Sequence, residues 1–316
     1  MLGIIINPKS GKSHFRRQRI YLWQLLRSRH QPFTYRVTKY AGHAIEHARE
    51  LVEMGYHKIL VLGGDGTLNE VVNGLMTAKI SDRERQTIQL GLMPRGTGND
   101  FGRFWGLDKN FKRSLGIFFD GKPQPLDVGC LTYYRNGEEQ HRYFVNSIGF
   151  GVDPLTCLYA EKLKPYIGSH HVNYVFGLLF ALGKQKTIPV SLSVDGKEVT
   201  KDALFTMNIG NGPFSGGGIR QNPTADPRDG ILNGMFVSKP SIKQLCQALP
   251  NLFNGHLTDN PFIRTIEGHE VGVTLTHPRK EGGFLVETDG ILMPFSGSCT
   301  IYCIHHALQF VAAKDF

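Results

Sequence analysis

Residues 58–75 combine an apolar run, a glycine-dense turn and a second apolar run. Ile59-Leu60-Val61-Leu62 breaks at Gly63-Gly64-Asp65-Gly66-Thr67, and Leu68, Val71, Val72 and Leu75 follow. The first run reads as a buried strand, and the second has the spacing of a helix with one buried face. Three glycines let the backbone turn sharply and approach a ligand where a Cβ would clash. The new helix offers unpaired N–H groups to that turn, a setting that favours phosphate. Asp65 adds a hard oxygen of the kind magnesium takes when it rides on phosphates. The same residues also fit a tight strand-to-helix turn that needs no ligand.

Two familiar phosphate motifs are excluded. Gly11-Lys12-Ser13 has the ending of a P-loop, but Ile6 stands where its first glycine belongs. Gly64-x-Gly66 is followed by Asn69 where the dinucleotide fingerprint has a third glycine.

Up to about residue 126 the pattern alternates strand and helix. Strands are expected at Leu2–Asn7, Phe33–Thr38, Lys58–Leu62 and Ile88–Met93, with helices ending near Ser28 and covering Ala41–Met54. Strands joined by helices imply a parallel sheet covered on both faces, which binds ligands at the carboxyl ends of its strands. The loops after Asn7, Thr38, Leu62 and Met93 all begin there. Beyond Leu126 short alternating segments take over, and only Tyr174–Lys184 and Ile242–Leu252 read as helices. The architecture expected is α/β: a doubly wound parallel-sheet nucleotide-binding domain, 1–125, followed by a β-sandwich domain, 126–303. The change falls near Pro123-Gln124-Pro125.

A net charge of +9 favours an acidic partner: nucleic acid, an anionic membrane or a phosphorylated substrate. No aromatic and basic interleaving supports nucleic acid. The chain opens on Leu2-Gly3-Ile4-Ile5-Ile6, too short for a signal core, and no apolar run reaches membrane-spanning length. Val172–Gly183 is the most apolar stretch. It reads as a buried or interfacial helix, and Phe176–Leu182 within it is expected to pack the second domain's core, with an apolar lipid channel as the alternative. The five cysteines form no CxxC pair, which suits a reducing cytoplasm. The pairs His170-His171 and His305-His306 lack the i, i+4 spacing of two ligands on one helix face.

Asn7-Pro8 with Ser10-Gly11, Gly63-Gly64-Asp65-Gly66-Thr67 and Gly96-Thr97-Gly98-Asn99-Asp100 resemble the successive motifs of the diacylglycerol kinase catalytic domain family. This family includes bacterial soluble lipid kinases, ceramide kinases and sphingosine kinases, and it is related to NAD kinases. The resemblance continues through Phe144–Gly151, Asn208–Gly212, Gly216–Ile219 and Pro223–Leu232, so it covers nearly the whole chain.

The resemblance implies ATP-dependent phosphorylation of a lipid alcohol, of diacylglycerol or sphingoid type, by a cytoplasmic protein peripheral to an anionic membrane. The nucleotide would lie in a cleft between the domains, with residues from about 304–316 returning to the first. Asn7, Thr38, Gly63, Gly64, Asp65, Gly66, Thr67, Glu70, Gly96, Thr97 and Asn99 would hold ATP. Magnesium would sit near Asp65, and a second ion near Asp226 and Asp229. An attacking alcohol must give up its proton, and Asp289 in Glu287-Thr288-Asp289-Gly290 falls where the family places its general base. The family has Asp-Gly-Glu there. Here Ile291 replaces the glutamate, and Glu287 shares Asp289's face if the segment is a strand. An NAD kinase and a non-catalytic nucleotide or lipid sensor are the alternatives, and a homodimer is left open.

Overall fold

The computed structural model describes residues 1–11, 15–167, 171–277, 284–295 and 297–314. Lys12 and Ser13 of the broken P-loop pattern, His170, and residues 315–316 lie outside them. The chain divides into two compact units, Met1–Leu126 with His306–Phe316, and Asp127–His305.

The first unit is the expected strand–helix alternation. In order it runs β1 (Leu2–Ile6), α1 (Phe15–Ser28), β2 (Phe33–Val37), α2 (His43–Glu53), β3 (Lys58–Gly63), α3 (Asp65–Met76), the single turn α4 (Asp82–Arg85), β4 (Gln89–Pro94), α5 (Asp100–Phe104) and α6 (Phe111–Asp120). The strands pair in parallel in the order β2-β1-β3-β4, and Gln309 and Phe310 of the returning chain add beside Gln89 and Leu90 of β4. Every residue of β1 is buried. That requires cover on both faces of the sheet, and explains the unbroken Leu-Gly-Ile-Ile-Ile run. One face packs Ile4, Ile6, Leu60 and Leu62 against Leu22 and Leu26 of α1 and Leu115 and Phe118 of α6. On the other side α2 and α3 pack so closely that a Cβ on Gly74 would lie 2.4 Å from the Ile45 carbonyl oxygen.

The second unit is antiparallel. The chain enters it within β5 (Lys122–Arg135) and leaves within a last strand, Ser298–Ala312. Between them come β6 (Glu138–Phe144), β7 (Ser147–Phe150), α7 (Val152–Ile167), α8 (His171–Lys184), β8 (Ile188–Val194), β9 (Lys197–Leu204), β10 (Thr206–Gly210), β11 (Leu232–Val237) and α9 (Ile242–Ala248). Then follow β12 (Ile263–Gly268), β13 (Glu270–Leu275), β14 (Phe284–Thr288), β15 (Ile291–Phe295) and β16, that last strand. One sheet has the order β12-β11-β10-β7-β14-β15, and the ladder β16-β13-β8-β9 forms a second layer. Phe150, Met207, Ile209, Phe236 and Val286 of the first layer share a core with Val190, Leu192, Val271, Val273 and Ile301 of the second. This is a sandwich.

Three expectations need correction. The run Arg142–Gly149 is two strands, broken at Val145-Asn146. The 16-residue α7 is a third helix beyond the two expected in this half of the chain, and it contains Pro154 and Pro165. Pro154 falls in the first turn, where its missing N–H costs nothing, and Pro165 falls in the last. Third, α8 buries only part of its apolar surface: Ala181, with Leu178 and Leu182 beside it, joins a core of the second unit, whereas Val175, Phe176, Leu179 and Phe180 are exposed.

Candidate active site

Strand order in the first unit reverses between β1 and β3, so the crevice beyond their carboxyl ends is the switch point of the sheet. The loops meet there. Asn7 Nδ2 donates to Thr67 Oγ1 at 2.9 Å, while Asn7 Oδ1 accepts from Lys9 N at 3.0 Å, fixing the amide between two loops. Arg95 N donates to the Gly63 carbonyl at 2.8 Å, and Thr38 N to the Ile6 carbonyl at 2.9 Å.

The glycines divide by what a side chain would meet. A Cβ on Gly63 would lie 2.5 Å from Thr67 Cβ, and one on Gly64 would lie 2.7 Å from Gly96 Cα. One on Gly96 would lie 2.9 Å from Gly64 Cα. These three are small because protein packs against them. Gly66 differs: it is exposed, and a Cβ there meets nothing within 4 Å. It stands in the first turn of α3, whose N-terminus has no side-chain cap. The open space and the uncapped turn leave room for an anion at this one glycine.

Several expected ligands have duties inside the protein. Asp65 Oδ1 accepts from Phe101 N, in the first turn of α5, at 3.3 Å. Asn99 takes a left-handed conformation, φ 51°, and its amide pairs both with Gly96 N, at 2.9 Å, and with the Gly96 carbonyl, at 3.0 Å. It staples its own loop. Glu70 caps α2, accepting from Gly42 N at 2.8 Å and Ala44 N at 3.2 Å. Thr38 is buried and Thr97 exposed. Arg95, which no motif marked, is buried beside the same loops. Its Nε donates to the Ser10 carbonyl at 3.1 Å, its Nη1 reaches Gln18, and burial lowers its pKa.

Asp289 is the hub of the second unit. Asp289-Gly290 is the two-residue turn of the β14–β15 hairpin, with φ of 47° and 84°. Positive φ at both positions is the type I′ geometry that Asp-Gly favours. The Asp289 carboxylate is buried and accepts three backbone N–H groups: Val145 at 2.8 Å, Asn146 at 2.9 Å and Ser147 at 3.0 Å. It therefore holds the break between β6 and β7. Glu287 is buried and reaches Gly290 N of the same turn.

A hydrogen-bonded network runs inward from this hub. Asn208 Nδ2 lies 3.4 Å from Ser147 Oγ and donates to Asp153 Oδ2 at 2.7 Å. Gln221 Nε2 donates to Asp153 Oδ1 at 3.2 Å, and Asn222 Nδ2 to Asn208 Oδ1 at 2.6 Å. Burial pushes the Asp153 pKa up to about 6, against the lowering pull of Asn208 and Gln221. Sequence reading missed Asp153, although the Gly149–Asp153 spacing carried a signal. A Cβ on Gly149 would lie 2.5 Å from Asp153 Cβ, so that glycine makes room for the acid.

The expected second metal site looks different in the structure. Arg228 closes both oxygens of Asp226, with Nε at 2.7 Å and Nη2 at 2.6 Å. Asp229 is exposed and accepts from Ile231 N at 2.9 Å. Burial, then the charges of Asp226 and Asp127, raise its pKa. The guanidinium supplies the positive charge an ion would bring, so these residues do not fit a resident magnesium.

The chain thus joins a parallel α/β unit, with glycine turns at its switch point, to an antiparallel sandwich. Residues 1–131 match the diacylglycerol kinase catalytic domain, and residues 146–309 match the YegS C-terminal NAD kinase beta sandwich-like domain. The chain belongs to this diacylglycerol kinase and YegS-like family of lipid kinases. A probable lipid kinase YegS-like of Chromohalobacter salexigens is 34% identical over 223 residues, covering 69% of this chain and 67% of its own. The diacylglycerol kinase of Bacillus subtilis is 29% identical over 266 residues, covering 83% and 82%. Two solved structures share the fold. A diacylglycerol kinase from Bacillus anthracis has a TM-score of 0.72 at 21% identity, covering 98% of this chain and 96% of its own. Yeast NADH kinase complexed with NADH has a TM-score of 0.58 at 12% identity, covering 100% and 84%.

Proposed function

We propose that this protein transfers the γ-phosphoryl group of ATP to the hydroxyl of a lipid of the diacylglycerol class. The observation that carries the nucleotide half is the open space at Gly66 beside an uncapped helix start, at the switch point of a parallel sheet. The lipid half rests on the family and on relatives named lipid kinase and diacylglycerol kinase.

In this reading the β- and γ-phosphates lie against the Gly64–Thr67 turn, with the first N–H groups of α3 facing them. Asn7, Asn99 and Glu70 fix the surrounding loops, and Arg95 is the buried cation among them. Asp65 is half-buried beside the exposed Gly66 and fits a magnesium ligand, and the ion would neutralise phosphate charge. The lipid oxygen bonds to the γ-phosphorus as the bond to the bridging oxygen of ADP breaks, and the hydroxyl proton passes to a carboxylate. Asp289 is the proposed acceptor. Three N–H donors already converge on it, so its part is more to orient the hydroxyl than to act as a strong base. A loose phosphoryl-transfer transition state asks little more than that.

The test uses γ-labelled ATP with diacylglycerol in mixed vesicles and, separately, with NAD. Label in the solvent-extractable lipid, reduced at least a hundredfold by Asp65→Ala and by Asp289→Asn, is the expected result. Label in the dinucleotide overturns the lipid acceptor, and ATP binding without transfer to either makes the protein a sensor.

A further inference from the structure

Helix α8 turns an apolar stripe outward. Asn173, Gly177 and Ala181 are buried, whereas Val175, Phe176, Leu179 and Phe180 are 44%, 44%, 48% and 51% exposed. The exposed spacing, i, i+1, i+4 and i+5, continues to Gly183 and Lys184. The helix cannot roll to hide this stripe, because α7 already occupies its other face. A Cβ on Gly177 would lie 2.7 Å from the Thr156 carbonyl oxygen and 3.0 Å from Ala160 N. Exposed apolar side chains side by side on one element mark an interaction surface.

The chain on either side of the stripe is rich in lysine. Between Tyr159 and Lys186 the chain carries Lys162, Lys164, Lys184 and Lys186 against one acid, Glu161. Lys162 Nζ lies 5.7 Å from the Tyr159 ring centroid, and that ring meets Phe180 at 6.0 Å. The cation is thus linked to the apolar stripe through one aromatic. Tyr166, near the end of α7, is 87% exposed. At 14 residues α8 is too short to cross a bilayer, and no helix of the described residues is long and apolar enough to do so.

We propose that the outer face of α8, with the lysines of α7 and of the segment after α8, docks the protein on an anionic bilayer. The helix lies in the plane of the interface, with Val175, Phe176, Leu179 and Phe180 at the acyl boundary and the lysines among headgroup phosphates. This rests on the lipid-kinase reading above, and names the surface through which the protein reaches a membrane-held substrate. A second copy fits the face less well, because two such faces would bring their lysines together.

Co-sedimentation of the full chain with vesicles, without ATP or diacylglycerol, tests the docking. One set is phosphatidylcholine alone, and the other is equal parts phosphatidylcholine and phosphatidylglycerol. Binding to the anionic set, weakened by salt, is expected. It should fall at least tenfold in the double variant Phe176→Ser with Leu179→Ser, and likewise in Lys184→Glu with Lys186→Glu. Phe253→Ser, equally exposed on another element, should bind as the parent does. Equal binding by the stripe variant, no binding by the parent, or no preference for the anionic set overturns the proposal. So does a parent dimer that the stripe variant splits. Transfer to a short-chain diacylglycerol dispersed in water, assayed on the same samples, should persist in the stripe variant. If the parent binds vesicles yet transfers nothing to that substrate, the kinase reading fails and the docking stands.

Discussion

The loops of the first unit and the hub of the second are both polar sites on a well-packed scaffold, but they are assembled differently. The first is made of contiguous turns, Asn7–Gly11, Gly63–Thr67 and Arg95–Asn99, joined by backbone and side-chain hydrogen bonds. The second gathers single side chains from far apart: Asp289 on residues 145–147, Asn208 on Asp153, and Gln221 on Asp153 again. A site built from contiguous turns leaves side chains half-buried at its edge, such as Asp65. A site built from buried side chains commits each one to the fold.

Removing Asp289 is the largest test of that contrast. Asp289→Ala leaves three buried N–H groups without their acceptor. At about 1–3 kcal/mol for each unsatisfied group, the loss of stability is on the order of 3–9 kcal/mol. Asp65→Ala gives up, among its contacts, the 3.3 Å bond from Phe101 N at a half-buried position, and should cost less, about 1 kcal/mol. Urea unfolding of the two variants checks both figures. Equal losses would break the distinction.

Asp153 gives the second unit a pH signature of its own. Its native pKa of about 6 stands above the ordinary 3.8, so the folded state binds the proton more tightly than the unfolded chain. The contribution to stability is complete below pH 3.8 and is lost as pH rises through 6. A shift of about 2 units corresponds to about 3 kcal/mol. Stability measured from pH 4 to 7 should show this fall, and Asp153→Asn should flatten it. An unchanged profile in the variant would remove Asp153 from the account.

The same difference in assembly decided what could be read from the sequence. A glycine turn between an apolar strand and an apolar helix is local, so β1 to β4, their parallel pairing and the loop edge were legible. The capping of α2 by Glu70, from 26 and 28 residues away, was not. Neither was the closing of Asp226 by Arg228. The buried network was invisible because Asn208, Gln221 and Asn222 are ordinary polar residues until the sandwich closes over them. An apolar run says that a helix is apolar but not which way it faces, so α8 read as buried or interfacial, and which residues form its outward stripe was not legible.

The glycines of the opening turn bring the contrast down to neighbouring residues. Gly64→Ala places a Cβ 2.7 Å from Gly96 Cα and should cost about 2 kcal/mol through overpacking, with nucleotide binding lost because the loops part. Gly66→Ala meets nothing, and in the first turn of α3 should leave stability unchanged or raise it by up to about 1 kcal/mol. Titration of ATP into Gly66→Ala, beside its thermal melt, therefore addresses the central claim most directly. Affinity at least tenfold weaker than the parent, in a protein that melts no lower, is the result expected if phosphate occupies that space. Parent-like affinity at an unchanged melting temperature would show that the nucleotide does not sit there.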